Sequence, residues 1–99
     1  MNIKPLTEFR SNRRDYTLLE QCFIGKTIQI MLFEGKHTTN NKIVVNYEVH
    51  KCRVKPLDEK PFTHYWLRAG ASDFGQYGWC YKVKKDAINK FKEVLDDQP

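Results

Sequence analysis

Between Gly78 and Leu95 the hydrophobic period of this chain switches from that of a strand to that of a helix. Gly78-Trp79-Cys80-Tyr81-Lys82-Val83-Lys84 alternates large apolar and basic residues. The next residues place Ala87, Ile88, Phe91, Val94 and Leu95 on one helical stripe, with Lys85, Lys90 and Lys92 on the wet face. A strand that feeds directly into an amphipathic helix needs a sheet for the helix to cover. The expectation is one α+β domain over residues 1–99, an antiparallel sheet of about four to five strands packed by one C-terminal helix. Residues 1–12, polar and carrying Pro5, read as an N-terminal arm.

Ninety-nine residues suffice for one modest core. Apolar residues make up 40% and aromatics 13%, enough to offset the ordering entropy that keeps polar chains disordered. The thiols Cys22, Cys52 and Cys80 are odd in number and lack metal-finger or redox spacing. They read as reduced, buried small residues. No charged-then-apolar leader opens the chain, and no apolar run reaches the length of a membrane span. A cytoplasmic, intracellular protein with no membrane partner is the expectation.

Thr27–Phe33 is the clearest strand, with Ile28, Ile30 and Leu32 on one face and Gln29, Met31 and Phe33 on the other. Residues 14–23 fit a helical stripe or a strand with Tyr16, Leu18, Cys22 and Ile24 on one face. The short Gly25-Lys26 connection favours the strand and a hairpin. Residues 35–42 read as a polar turn, and Ile43–Val54 as a second long strand. There Asn46, Glu48 and His50 alternate with Val45, Tyr47 and Val49, the pattern of a sheet wet on one side. Pro56–Pro61 reads as a charged loop, Phe62–Ala69 as a third strand, and residues 70–78 as a glycine-rich loop without phosphate-loop spacing.

Little of this points to catalysis. His50-x-Cys52 puts two ligand types on one strand face, with His64 a possible neighbour, but no second paired motif completes a metal set. No Cys–His pairing carries a nucleophile signature, and Asp58-Glu59 and Asp96-Asp97 read as solvated charge. We therefore expect no enzyme, no metal and no cofactor.

The basic and aromatic residues form a more coherent set. Lys plus Arg number 17 against 12 Asp plus Glu, a net +5, which raises the local concentration of polyanions. Arg10, Arg13, Arg14, Lys51, Arg53, Lys55, Trp66, Arg68, Tyr77, Lys82 and Lys84 fall on strands, their rims or adjoining loops. Cations that follow phosphates and rings that stack on bases hold single strands in this way. The competing assignment makes Tyr47, Trp66, Trp79 and Tyr81 core aromatics, with the lysines solubilising the edges. In coarse layout, a curved antiparallel sheet followed by one helix over about residues 23–96 is similar to the Whirly and Pur-alpha group of single-strand-binding proteins. The leading expectation is a small nucleic-acid-binding protein, DNA or RNA with single strands favoured, monomeric or a homodimer. The alternative is a protein-interaction module that takes an acidic protein partner, such as a phage or mobile-element inhibitor of a host nuclease or defence complex. Tyr, Trp and Arg serve an interface hot spot as well as a stacking platform.

Overall fold

Asn40 and Asn41 both adopt positive φ, 48° and 61°, the combination that a two-residue hairpin turn of type I′ requires and that asparagine tolerates. This turn joins β4 (Ile28–Thr39) to β5 (Lys42–Glu59), which pair without interruption from Ile28↔Arg53 to Thr39↔Lys42. The turn expected over residues 35–42 is confined to Asn40 and Asn41, and the polar run from Gly35 to Thr39 is strand. Asn12 and Arg13, also at positive φ, turn β2 (Glu8–Ser11) into β3 (Arg14–Ile24), and Gly25 at φ 66° turns β3 into β4. The computed structural model describes residues 1–98. It adds β1 (Ile3–Lys4), β6 (Phe62–Leu67), a 3₁₀ turn at Ala71–Asp73, β7 (Gly78–Tyr81) and the helix α1 (Lys84–Asp96).

Six strands lie side by side in the order β1-β6-β5-β4-β3-β2, and β7 pairs with the first half of β5. Seven strands replace the four to five expected, and the first twelve residues supply two of them rather than an arm. Only Pro5, Leu6 and Thr7 connect β1 at one edge to β2 at the other. Laid flat, five strand spacings would separate these edges by roughly 24 Å. The link covers at most about 14 Å. The sheet therefore curls into a half-barrel, with the β1–β2 link crossing its mouth and Leu18 N–H donating to the Thr7 carbonyl at 2.9 Å. The result is a single α+β domain that is mostly sheet, with one helix.

Curling gives the sheet two buried faces. On the outer face α1 sets Ala87, Phe91 and Val94 against Ile30, Leu32 and Val49, flanked by Tyr47, Trp79 and Tyr81. The inner face holds Tyr16, Met31, Phe33, Cys52 and Trp66, with Phe9 and Leu6 from the N-terminal segment packed on them. The expectation of a wet face at Asn46, Glu48 and His50 fails for this reason: Asn46 and His50 are buried inside the curl. The single face proposed for Tyr16, Leu18, Cys22 and Ile24 also fails. A bulge between Leu18 and Glu20 inserts one residue into β3 and reverses its alternation. Tyr16 and Leu18 join the inner cluster, whereas Cys22 and Ile24 join the helix side.

Pro56 lies inside β5 instead of opening a loop. Residues beyond Val54 have passed the start of β4, so the missing N–H falls on a stretch paired only with β6, next to a register shift.

Candidate nucleic-acid interface

Beyond Val49 the outer face of β5 continues past the apolar patch covered by the helix as Lys51, Arg53 and Lys55. Successive side chains on one strand face stand roughly 6.6 Å apart. Lys51, Arg53, Arg68 and Tyr77 line one open groove of about 240 Å³, together with Ile28, Leu67 and Asp73. Lys55 follows on the same face, opposite Tyr65 of β6. Among the described residues Lys51, Arg53 and Lys55 enter no ion pair. Asp73 is the opposing charge in this groove, and its Oδ2 accepts the Gly70 N–H at 3.0 Å.

The loop between β6 and β7 brings Tyr77 and Arg68 to this place. Lys51 N–H donates to the Tyr77 carbonyl at 2.8 Å, so the loop returns directly beside β5. Ala69 N–H donates to His50 Nδ1 at 3.1 Å, and the Phe74 ring meets the His50 ring edge-on at 5.6 Å. Gly78 is required at the close of the loop, since a Cβ there would stand 2.7 Å from Ala69 Cβ. Arg68 borders the groove but turns its guanidinium inward, 4.0 Å above the Phe9 ring, so its charge faces the barrel interior.

His50 is fully buried, and the Ala69 donor at Nδ1 leaves Nε2 as the protonated nitrogen. Nε2–H donates to Glu48 Oε1 at 2.8 Å. The Tyr16 hydroxyl donates to the other carboxylate oxygen, and Asn46 Nδ2 donates to the Tyr16 oxygen at 3.2 Å. Burial pushes the Glu48 carboxyl up. The hydrogen bonds from His50 and Tyr16 and the charge of Arg68 outweigh it and hold the group below its ordinary value. Burial raises the Tyr16 phenol, and donation to Glu48 raises it further. Burial pushes the Cys52 thiol up to about 12 despite the Arg68 charge. This network ties β3, β5 and the β6–β7 loop together behind the groove.

The remaining candidates lie elsewhere. Arg10 pairs with Asp15 at 2.7 Å on the exposed β2–β3 hairpin. Arg13 is a turn residue whose carbonyl contacts His37 Nδ1 at 2.9 Å, and the half-buried Arg14 opens β3. Lys82 and Lys84 are exposed where β7 meets α1, beyond the Tyr47↔Tyr81 pair that ends the β5–β7 ladder. Trp66 is a correction: it packs in the inner cluster on the face opposite Arg53 and cannot join the groove as an exposed stacking ring. Trp79 and Tyr81 pack against the helix. Sequence reasoning missed Ile28, Leu67 and Asp73, whose approach depends on the β5–β6 register and the loop. Among the described residues no cluster of three or more His, Cys, Asp or Glu could hold a metal, and no helix is long and apolar enough to cross a membrane.

No protein-family model, curated protein or solved structure matches this chain.

Proposed function

We propose that this protein binds single-stranded nucleic acid along the outer face of β5. The observation that carries this reading is the row Lys51, Arg53 and Lys55, alternating on one strand face, free of ion pairs among the described residues and flanked by Tyr77 and Tyr65. Such a row can follow successive phosphates while an aromatic ring at its rim stacks on a base. Ile28 and Leu67 give the groove an apolar floor for the flat face of a base. The chain's +5 charge adds long-range attraction.

Fluorescence anisotropy with labelled oligothymidylate, oligouridylate and a duplex of equal length tests the reading. Single strands should bind more tightly than duplex, with log affinity falling linearly in log salt. No binding to any of the three at low salt would sink it.

One observation favours a protein partner instead. Ile43 is 67% exposed, and the β5 backbone before Tyr47 has passed the end of β7, leaving an open apolar edge suited to strand addition. In that case Ile43→Ser would abolish capture of a stoichiometric protein partner that survives high salt.

A further inference from the structure

The mouth of the half-barrel, on the opposite sheet face from Lys51 and Arg53, holds a second cavity of about 250 Å³. Its walls are Ile3, Leu6, Phe23 and Trp66, and no charged side chain lines it. Phe23 is 56% exposed although its ring lies 5.9 Å from that of Trp66, tilted by 54°. The exposed Phe23 ring thus gives the cavity rim an aromatic face on which a flat molecule can stack. Gln29 also lines the cavity, is 1% exposed, and its Oε1 has no hydrogen-bond partner. Buried polar atoms are nearly always satisfied, so an orphaned carbonyl beside an open cavity marks a place where a partner belongs.

The three features select one kind of occupant. A lining without charge disfavours ions, whose hydration nothing here replaces. The two rings favour a flat molecule that can stack. The terminal amide of Gln29 turns about a broad torsion and offers a donor beside an acceptor, the complement of a cyclic amide edge. The cavity is smaller than the usual drug-sized site of roughly 300–1,000 Å³, which limits the occupant to about two fused rings.

We propose that the mouth of the half-barrel is a binding site for a small neutral planar heterocycle with a lactam edge, stacked at Phe23 and Trp66 and paired with the Gln29 amide. The site is independent of the nucleic-acid reading, because it shares no lining residue with the groove on the outer face.

The probe is 2-quinolinone, a neutral two-ring lactam, titrated at pH 7.5 into the full chain and followed by ¹H–¹⁵N and aromatic NMR. The expected result is saturable shifts at the Gln29 side-chain amide, the Phe23 ring and the Trp66 indole. Gln29→Leu should weaken 2-quinolinone on the order of tenfold while leaving quinoline, which lacks the lactam, within about twofold. Phe23→Ser, at an exposed position that leaves the core intact, should weaken both. Absence of shifts at millimolar probe would overturn the proposal. So would equal affinity for 2-quinolinone before and after Gln29→Leu, which would leave Gln29 satisfied by water, or shifts confined to Lys51 and Arg53.

Discussion

The Tyr16 hydroxyl donates to Glu48 Oε2 at 2.5 Å, reaching from β3 across β4 to β5 above the one position in β4 that carries no side chain. Gly35 pairs with Tyr16 on one side and with Asn46 on the other. A Cβ on Gly35 would fall against both the Asn46 side-chain oxygen and the Tyr16 ring, well inside contact distance. The glycine is therefore the space through which the phenol crosses. The bond it permits leads on through Glu48 and His50 to the Ala69 amide, and so to the loop that brings Tyr77 beside Lys51. The floor of the groove is set from inside the barrel.

Gly35→Ala is expected to destabilise the protein by about 1–3 kcal/mol, since the methyl forces either the Tyr16 ring or the Asn46 amide from its place. Urea unfolding followed by far-UV circular dichroism measures this. A midpoint equal to that of the wild type would show that Tyr16 does not lie over Gly35.

The same bond sets two pH limits. Glu48 is held below its ordinary 4.5, so the native state keeps its carboxylate charged more readily than the unfolded chain does. Its stabilising contribution is present above 4.5 and is lost as pH falls through the lower native value. Tyr16 is raised above its ordinary 10.0, so its contribution is present below 10.0 and is lost as pH rises through the higher native value. Glu48→Gln should flatten the acid limb of a stability–pH curve, and Tyr16→Phe the alkaline limb. Tyr16→Phe should also cost about 1.5–3 kcal/mol near neutral pH, the range for a hydrogen bond to a charged group. Unchanged limbs in both variants would remove the network from the stability of the fold.

The periodic parts of this architecture were legible in the sequence, and the parts fixed by curvature were not. Ile28, Ile30 and Leu32 declare a strand by alternation, and Ala87, Phe91 and Val94 declare a helix face, because each signal is local. β1 is two residues long and pairs in parallel with β6 some sixty positions away, which leaves no periodic trace. Without that pairing nothing shows that the sheet curls, so Asn46 and His50 look solvated and Trp66 looks available. The row at Lys51, Arg53 and Lys55 was visible as alternation. Arg10, Arg13 and Arg14 are chemically alike, yet the β2–β3 turn carries them to another part of the molecule.

The three thiols should separate by reactivity. Cys80 is exposed and its sulfur accepts from Asn46 Nδ2 at 3.3 Å, Cys22 is half-buried, and Cys52 is buried with its pKa pushed up to about 12. Because the thiolate is the reacting form, iodoacetamide at pH 8 should modify Cys80 first, Cys22 more slowly, and Cys52 only after unfolding. Peptide mass spectrometry over time resolves the order. Early labelling of Cys52 would mean that the inner face opens to solvent.

Position and bulk charge can be separated as causes of the proposed nucleic-acid binding with two triple variants. Lys51, Arg53 and Lys55→Gln, and Arg10, Arg13 and Arg14→Gln, each remove three positive charges from the formal +5. Charge attraction alone predicts similar losses. A strand lying along β5 predicts different ones, because only the first variant strips the row beside Tyr77, and Arg10 is already paired with Asp15. For a single strand each phosphate contact contributes about 0.7 to the salt slope, so the β5 variant should lose about 2 and the hairpin variant far less. Tyr77→Ala should then weaken binding by about 1–3 kcal/mol with little change in slope, since stacking releases no counterions. Equal slopes in the two triple variants would move the contact surface away from β5 and leave only the overall field of the protein.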